Sequence, residues 1–369
     1  MRRRIIAALV ILSFVIASCN NQLVKYIPAN KNATPEAKAL YHKMGTLLNK
    51  GIMFGHQDTY LYGVEWKTEG ISDVKQVSGD FPAVFGWELG DLELGNKASL
   101  DSVKFDEIRE GIIWAHENGA INTISWHTNN PLTAGSAWDT SSDQVVKSIL
   151  PNGEKNADYI DMLDKTANFL LSLSDKNGKL IPLIFRPYHE HTGNWFWWGQ
   201  RLCSTDQYIA LWQLTVDYFN SRGLNNLLYA YSAAGNLKTA NDFMERYPGN
   251  EIVDFVGFDT YQHSIEHRDG YMDGIKNQME IIIPIATQNN KIPILAETGF
   301  NAIPDSQWWT ATLWPAIQDY PISYVLVWRN AYDCANHFYA PYPGCISADN
   351  FIEFKALDSI LFLNDIQEK

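Results

Sequence analysis

The run Arg186-Pro187-Tyr188-His189-Glu190-His191-Thr192-Gly193-Asn194-Trp195-Phe196-Trp197-Trp198-Gly199 concentrates a guanidinium, a carboxyl group, imidazoles and indoles in one short segment. Extended alternation places Arg186, Tyr188 and Glu190 on one face, so a cation lies below a carboxyl where an unpaired charge would be expensive. Arg186 therefore needs an acidic partner. Asp259 and Glu297, the latter within Ala296-Glu297-Thr298-Gly299, are the candidates. Two glutamates facing each other across one site can divide the cleavage of a glycosidic bond. One acid protonates the leaving oxygen and the other carboxylate attacks the anomeric carbon. Structural ion pairs with Arg186 and Arg329 are the plainer alternative for both glutamates.

Holding such residues together requires a scaffold, and the chain supplies short β-rich runs, each followed by a longer helical pattern. The strands expected are Ile52 to Gly55, Ala83 to Trp87, Ile121 to Trp126, Ile181 to Arg186, Leu227 to Tyr231, Phe255 to Phe258, Pro293 to Ala296 and Tyr324 to Trp328. Helices are expected over Pro35 to Lys50, Phe105 to Asn118, Tyr159 to Ser174, Gln207 to Ser221, Met272 to Gln288 and Trp308 to Gln318. This order implies a parallel sheet, and eight strands imply an α/β fold of the (β/α)8 (TIM) barrel type. A doubly wound open sheet is the alternative. Each strand ends in polar or aromatic text: His56, Glu88, His127, Glu190, Ser232, Asp259 with Tyr261, Glu297, and Trp328 with Arg329. Active sites of barrels sit on that C-terminal rim. No Gly, Ser or Pro-rich linker interrupts residues 35–369, which read as one catalytic domain.

Composition fits this reading. Of 369 residues 46% are hydrophobic and 19% charged, as in a globular protein with a large core. The net charge of −13 provides no field for nucleic acid. Thirteen Trp, 18 Tyr and 17 Phe exceed what a core needs, so some rings should face a ligand. Arg2 to Arg4 precede an apolar run, Ile5 to Ala17, too short to span a bilayer. The ending Ile16-Ala17-Ser18-Cys19 resembles the bacterial lipobox; an ordinary cleaved signal is the alternative. Residues 1–18 are accordingly expected to be a leader, Cys19 the lipidated residue and sole membrane contact, and 19–34 a tether. Asn20, Asn21 and Gln22 lack an acidic cluster, which suggests a lipid-anchored outer-membrane protein facing the periplasm, with the cell surface as the alternative. Of the other cysteines, Cys334 and Cys345 could bridge locally, and Cys203 reads as a small buried hydrophobe.

From about Glu36 to about Leu361 the motifs resemble glycoside hydrolase family 26, the β-mannanases. The resemblance implies that Glu190 is the acid/base, Glu297 the nucleophile, and that His127, His189, Trp195, Tyr261 and Trp328 bind sugar. It implies no metal or cofactor, a β-mannan substrate, and net retention. Related enzymes act on mixed-linkage glucan or xylan. Arg186 and Asp259 are expected to support the site, Glu88 has no assigned role, and the protein is expected to be a monomer. The long connections Glu88 to Lys104 and Thr128 to Asn156 could wall off one end of a groove, with Asp91, Glu93 and Asn96 reaching a sugar. Release of mannobiose from chain ends would follow. Two rival classes are a metal hydrolase using His56, Asp58, His127, His189, His191 and His263, and a non-catalytic glycan-binding lipoprotein.

Overall fold

Strands covered on both faces carry nearly continuous apolar sequence, as in Ile294-Leu295-Ala296 and Tyr324-Val325-Leu326-Val327. The computed structural model describes residues 26–68 and 70–367; the expected leader and the expected lipidation site, Cys19, lie outside the described residues. Eight parallel strands run in chain order: β1 (Ile52–Gln57), β2 (Val84–Glu88), β3 (Ile121–Trp126), β4 (Leu183–Pro187), β5 (Leu227–Ala234), β6 (Phe255–Gln262), β7 (Ile292–Phe300) and β8 (Tyr324–Val327). β1 pairs with both β2 and β8, from Met53 opposite Tyr324 to His56 opposite Val327, so the sheet closes. The fold is a (β/α)8 barrel, and closure excludes the doubly wound alternative. A two-residue strand, β9 (Ile360–Leu361), pairs with the start of β1.

Strands β5, β6 and β7 run beyond their expected ends, because their polar tails keep pairing up to the rim. The expected helix Trp308 to Gln318 instead opens as a wide π turn, Trp309–Leu313, before Trp314–Ile317. Pro315 explains this: it has no N–H, and its ring would strike the carbonyl four residues back.

One irregularity positions the chemistry. Phe258 pairs with Leu295, but Asp259 pairs with Glu297; on the other edge Leu295 pairs with Val325 and Thr298 with Val327. β7 therefore carries one extra residue, Ala296, against both neighbours. Unbroken alternation would put Glu297 on the face of Leu295. The bulge turns Glu297 to the side of Asp259, inside the barrel.

Residues ahead of the barrel attach at its opposite end. Ala29 N donates to Asp254 Oδ1 at 2.7 Å and Thr34 N to Asn225 O at 2.9 Å, just before β6 and β5 begin. Cys334 and Cys345 are not bridged, and Cys203 is buried.

Candidate active site

β4 ends at Pro187, and the alternation expected beyond it fails. Tyr188 (φ 50°) and Glu190 (φ 53°) adopt left-handed backbone that non-glycine residues hold only when their surroundings impose it. Tyr188 turns outward into the helical layer, where its hydroxyl meets Thr215 Oγ1 at 2.7 Å and Tyr159. It shares no face with Arg186. Glu190 swings back over the mouth, anchored by its N–H on Ser232 O at 2.9 Å, and Trp195 Nε1 donates to its Oε2 at 2.5 Å.

Arg186 lies buried beneath, and both expected acidic partners are present. Its guanidinium donates to Asp259 Oδ2 at 2.9 Å, to Ser232 Oγ at 3.2 Å and to Glu297 Oε1. Tyr261 Oη donates to Glu297 Oε2 at 2.7 Å, so each oxygen of Glu297 has its own donor. Burial, and then the charge of Glu297, raise Glu190 to about 7, against the lowering pull of Trp195 and Arg186. Burial lifts Asp259 well above the carboxylate range despite Arg186.

A second chain of contacts runs through Glu88, which the sequence left without a role. Glu88 Oε1 accepts from Gly90 N at 2.6 Å and His127 N at 2.9 Å; Oε2 accepts from Ser125 Oγ at 2.6 Å and meets His127 Nδ1 at 2.8 Å. Burial alone would raise Glu88, but the charge and hydrogen bonds of His127 and Ser125 prevail and lower it. His127 is raised, because Glu88 outweighs its burial. His189, whose Nε2 lies 3.1 Å from His127 Nε2, is pushed well down by burial and then by Arg186 and His127. The two imidazoles are thus shifted in opposite directions across one short contact.

Glu190, Glu297, Tyr261, Trp195, His127 and His189 line a cleft of about 860 Å³ over the barrel mouth. Trp328 also lines it, edge-on to His127 at 6.0 Å. Trp195 (42% exposed) and Trp138 (48% exposed) offer open indole faces on the cleft. Trp138, stacked on His127 at 5.0 Å, escaped the sequence reading because nothing in the β3 loop distinguishes it from a surface ring. Trp197 and Trp198 are fully buried in the loop.

The expected sugar contacts of the β2 loop are corrected. Glu93 is buried, accepting from Asn129 N at 2.7 Å and Trp126 Nε1 at 3.2 Å, and Asp91 accepts from Asn129 Nδ2 at 2.7 Å. They stitch the β2 loop to the β3 loop, and Asn96 lines a separate outer hollow. Leu100 and Asp101 of the same loop reach the cleft instead. Arg329 pairs there with Asp101 at 3.0 Å, not with either glutamate. Of the residues of the metal-site rival, His127 and His189 meet, but no third ligand joins them. His191 is buried against Tyr231 at 4.5 Å, and among the described residues no group of three or more His, Cys, Asp or Glu side chains could hold a metal ion.

The fold and the paired glutamates define a carbohydrate-cleaving type of barrel, and comparison gives the family. The glycosyl hydrolase family 26 model matches residues 29–328, and the chain belongs to that family. A solved family 26 β-mannanase from Bacteroides ovatus is 45% identical, with a TM-score of 0.88 over 90% of this chain and 96% of that one. An endo-β-1,4-mannanase from Cellulomonas fimi is 31% identical, with a TM-score of 0.82 over 92% of this chain and 78% of that one. A mannan endo-1,4-β-mannosidase of Bifidobacterium adolescentis is 32% identical over 276 residues, 73% of this chain; the match spans only 27% of that relative's length.

Proposed function

We propose that this chain is a retaining β-1,4-mannanase acting on mannan, galactomannan, glucomannan or their oligosaccharides. The observation that carries it is the asymmetry of the two glutamates. Glu190 is lifted to about 7 and holds a proton near neutrality, while Glu297 takes donors on both oxygens. Glu297 attacks the anomeric carbon as Glu190 protonates the departing oxygen, forming a covalent glycosyl-enzyme. Glu190, now a base, then activates water from the same side, giving net retention. Open indole faces at Trp195 and Trp138 suit the apolar C–H surfaces of pyranose rings. The mannanases among the relatives support mannan over glucan or xylan.

Product length follows from the cleft's boundary. The Asp101–Arg329 pair lines the cleft from the loops after β2 and β8, and Ile265 and Glu266 line it from the β6 loop. With the Asp101–Arg329 side closed to further sugars, short products dominate, mannobiose among them; with it open, a spread of longer oligosaccharides appears. If Cys19 carries lipid, attachment of residues 29–34 beneath the barrel turns the cleft away from the membrane, and a periplasm-facing outer-membrane site fits the leader. The test is hydrolysis of mannan, galactomannan, glucomannan, xylan and mixed-linkage glucan, with products sized at early times. Reducing sugar from the mannans is expected. Mannan binding without release would favour a glycan-binding role.

A further inference from the structure

Arg246 is a buried cation that the proposed reaction does not use. It lies 2% exposed just beyond the helix Ala240–Met244, and among the described residues no carboxylate comes within 4.0 Å of it. Its partners are all uncharged. Nη1 donates to His191 O at 2.8 Å and Trp198 O at 3.3 Å, and Nη2 to Trp198 O at 3.3 Å and Cys203 Sγ at 2.8 Å. The guanidinium also lies 4.0 Å from the ring centre of Tyr208. Burial keeps the Cys203 thiol raised, so it offers no counter-charge. A buried cation without an anion is costly, and removing it would be costless if it did nothing.

What it does is visible in the chain it bridges. His191 and Trp198 bracket the segment that carries Trp195, and one planar guanidinium binds both carbonyls, which fixes their separation. Between them Trp195 presents its indole N–H to Glu190 Oε2 at 2.5 Å. Gly193 completes the seat: a Cβ there would stand 2.4 to 2.6 Å from the Trp195 ring, so the indole rests directly on bare backbone. We propose that Arg246 is a positioning residue that staples the loop after β4 and, through Trp195, fixes the carboxyl of Glu190 for proton transfer. This rests on Glu190 being the general acid, as proposed above.

The test compares Arg246→Met, Arg246→Lys, Gly193→Ala and Trp195→Phe with the parent chain on mannan and on an activated aryl β-mannoside, whose leaving group needs little protonation. A displaced acid should cost about 10-fold or more in kcat on mannan and under about 3-fold on the aryl glycoside. Arg246→Lys, able to serve one carbonyl well, should fall between Met and the parent. The high-pH limb of kcat/KM should move upward in Arg246→Met and Trp195→Phe, because the indole N–H that favours the ionised acid is loosened or lost. Equal losses on both substrates with an unmoved limb would reduce Arg246 to a stability role and overturn the proposal. If Arg246→Met does not fold, Gly193→Ala decides, since it displaces the indole with Arg246 intact: parent-like selectivity and pH limb there would overturn the proposal equally. A parent chain that releases no sugar from mannan would instead refute the mannanase reading.

Discussion

Tyr261 Oη donates to Glu297 Oε2 at 2.7 Å, while Arg186 takes the other oxygen. The phenol thus fixes the rotation of the carboxylate that Arg186 alone would leave free. A hydrogen bond to a charged group is worth about 1.5–3 kcal/mol, so Tyr261→Phe should lower kcat about 10- to 100-fold with a smaller change in KM. Steady-state kinetics on mannan check this. An unchanged kcat would make the contact incidental.

Activity should fall as pH rises through about 7, because Glu190 must be protonated for the first step and is raised to that value. Stability has the same sign. Between its ordinary 4.5 and about 7 the folded protein keeps a proton on Glu190 that the unfolded chain releases, so this group destabilises the fold as pH climbs through that window. Glu190→Gln removes the effect. Its Tm relative to the parent should rise from pH 5 to pH 8; a constant difference would mean Glu190 is not raised.

Glu88 takes its hydrogen bonds from Gly90, Ser125 and His127, and its charge balances a raised His127. Glu88→Ala strands those donors in a buried site, and loss of about 3–5 kcal/mol by urea denaturation is expected. His127 should then titrate lower, which NMR of its ring protons would register.

The eight strands and both glutamates could be read from the sequence, because β-rich runs and polar strand ends follow simple periods. Two features could not. The extra residue at Ala296 turns Glu297 inward, and no side-chain pattern announces a bulge that shows only in the register with β6 and β8. Beyond Pro187 the left-handed residues Tyr188 and Glu190 break the alternation that had put Tyr188 beside Arg186. The carboxylates of the β2 loop misled for a different reason: Glu93 reads as a sugar contact, yet Trp126 at the end of β3 and Asn129 just beyond it supply buried partners.

A loop deletion and a point substitution therefore act differently on this face of the cleft. Deleting Leu92 to Ala98 removes the Glu93 anchor, and should lower Tm rather than simply open the groove. Asp101→Ala leaves the anchor in place and releases Arg329, so early products from mannan should shift towards longer oligosaccharides. Chromatography of the first few per cent of turnover checks this. An unchanged product distribution would place the boundary elsewhere.

The division of labour between the two glutamates is tested most directly by trapping the covalent intermediate. A 2-deoxy-2-fluoro β-mannosyl fluoride slows both steps and, with its good leaving group, lets the glycosyl-enzyme accumulate. Digestion and mass spectrometry should find one added fluoromannosyl group on the peptide containing Glu297, and none after Glu297→Ala. A label on Glu190 or another carboxylate, or rapid turnover with inversion at the anomeric carbon, would contradict the assignment.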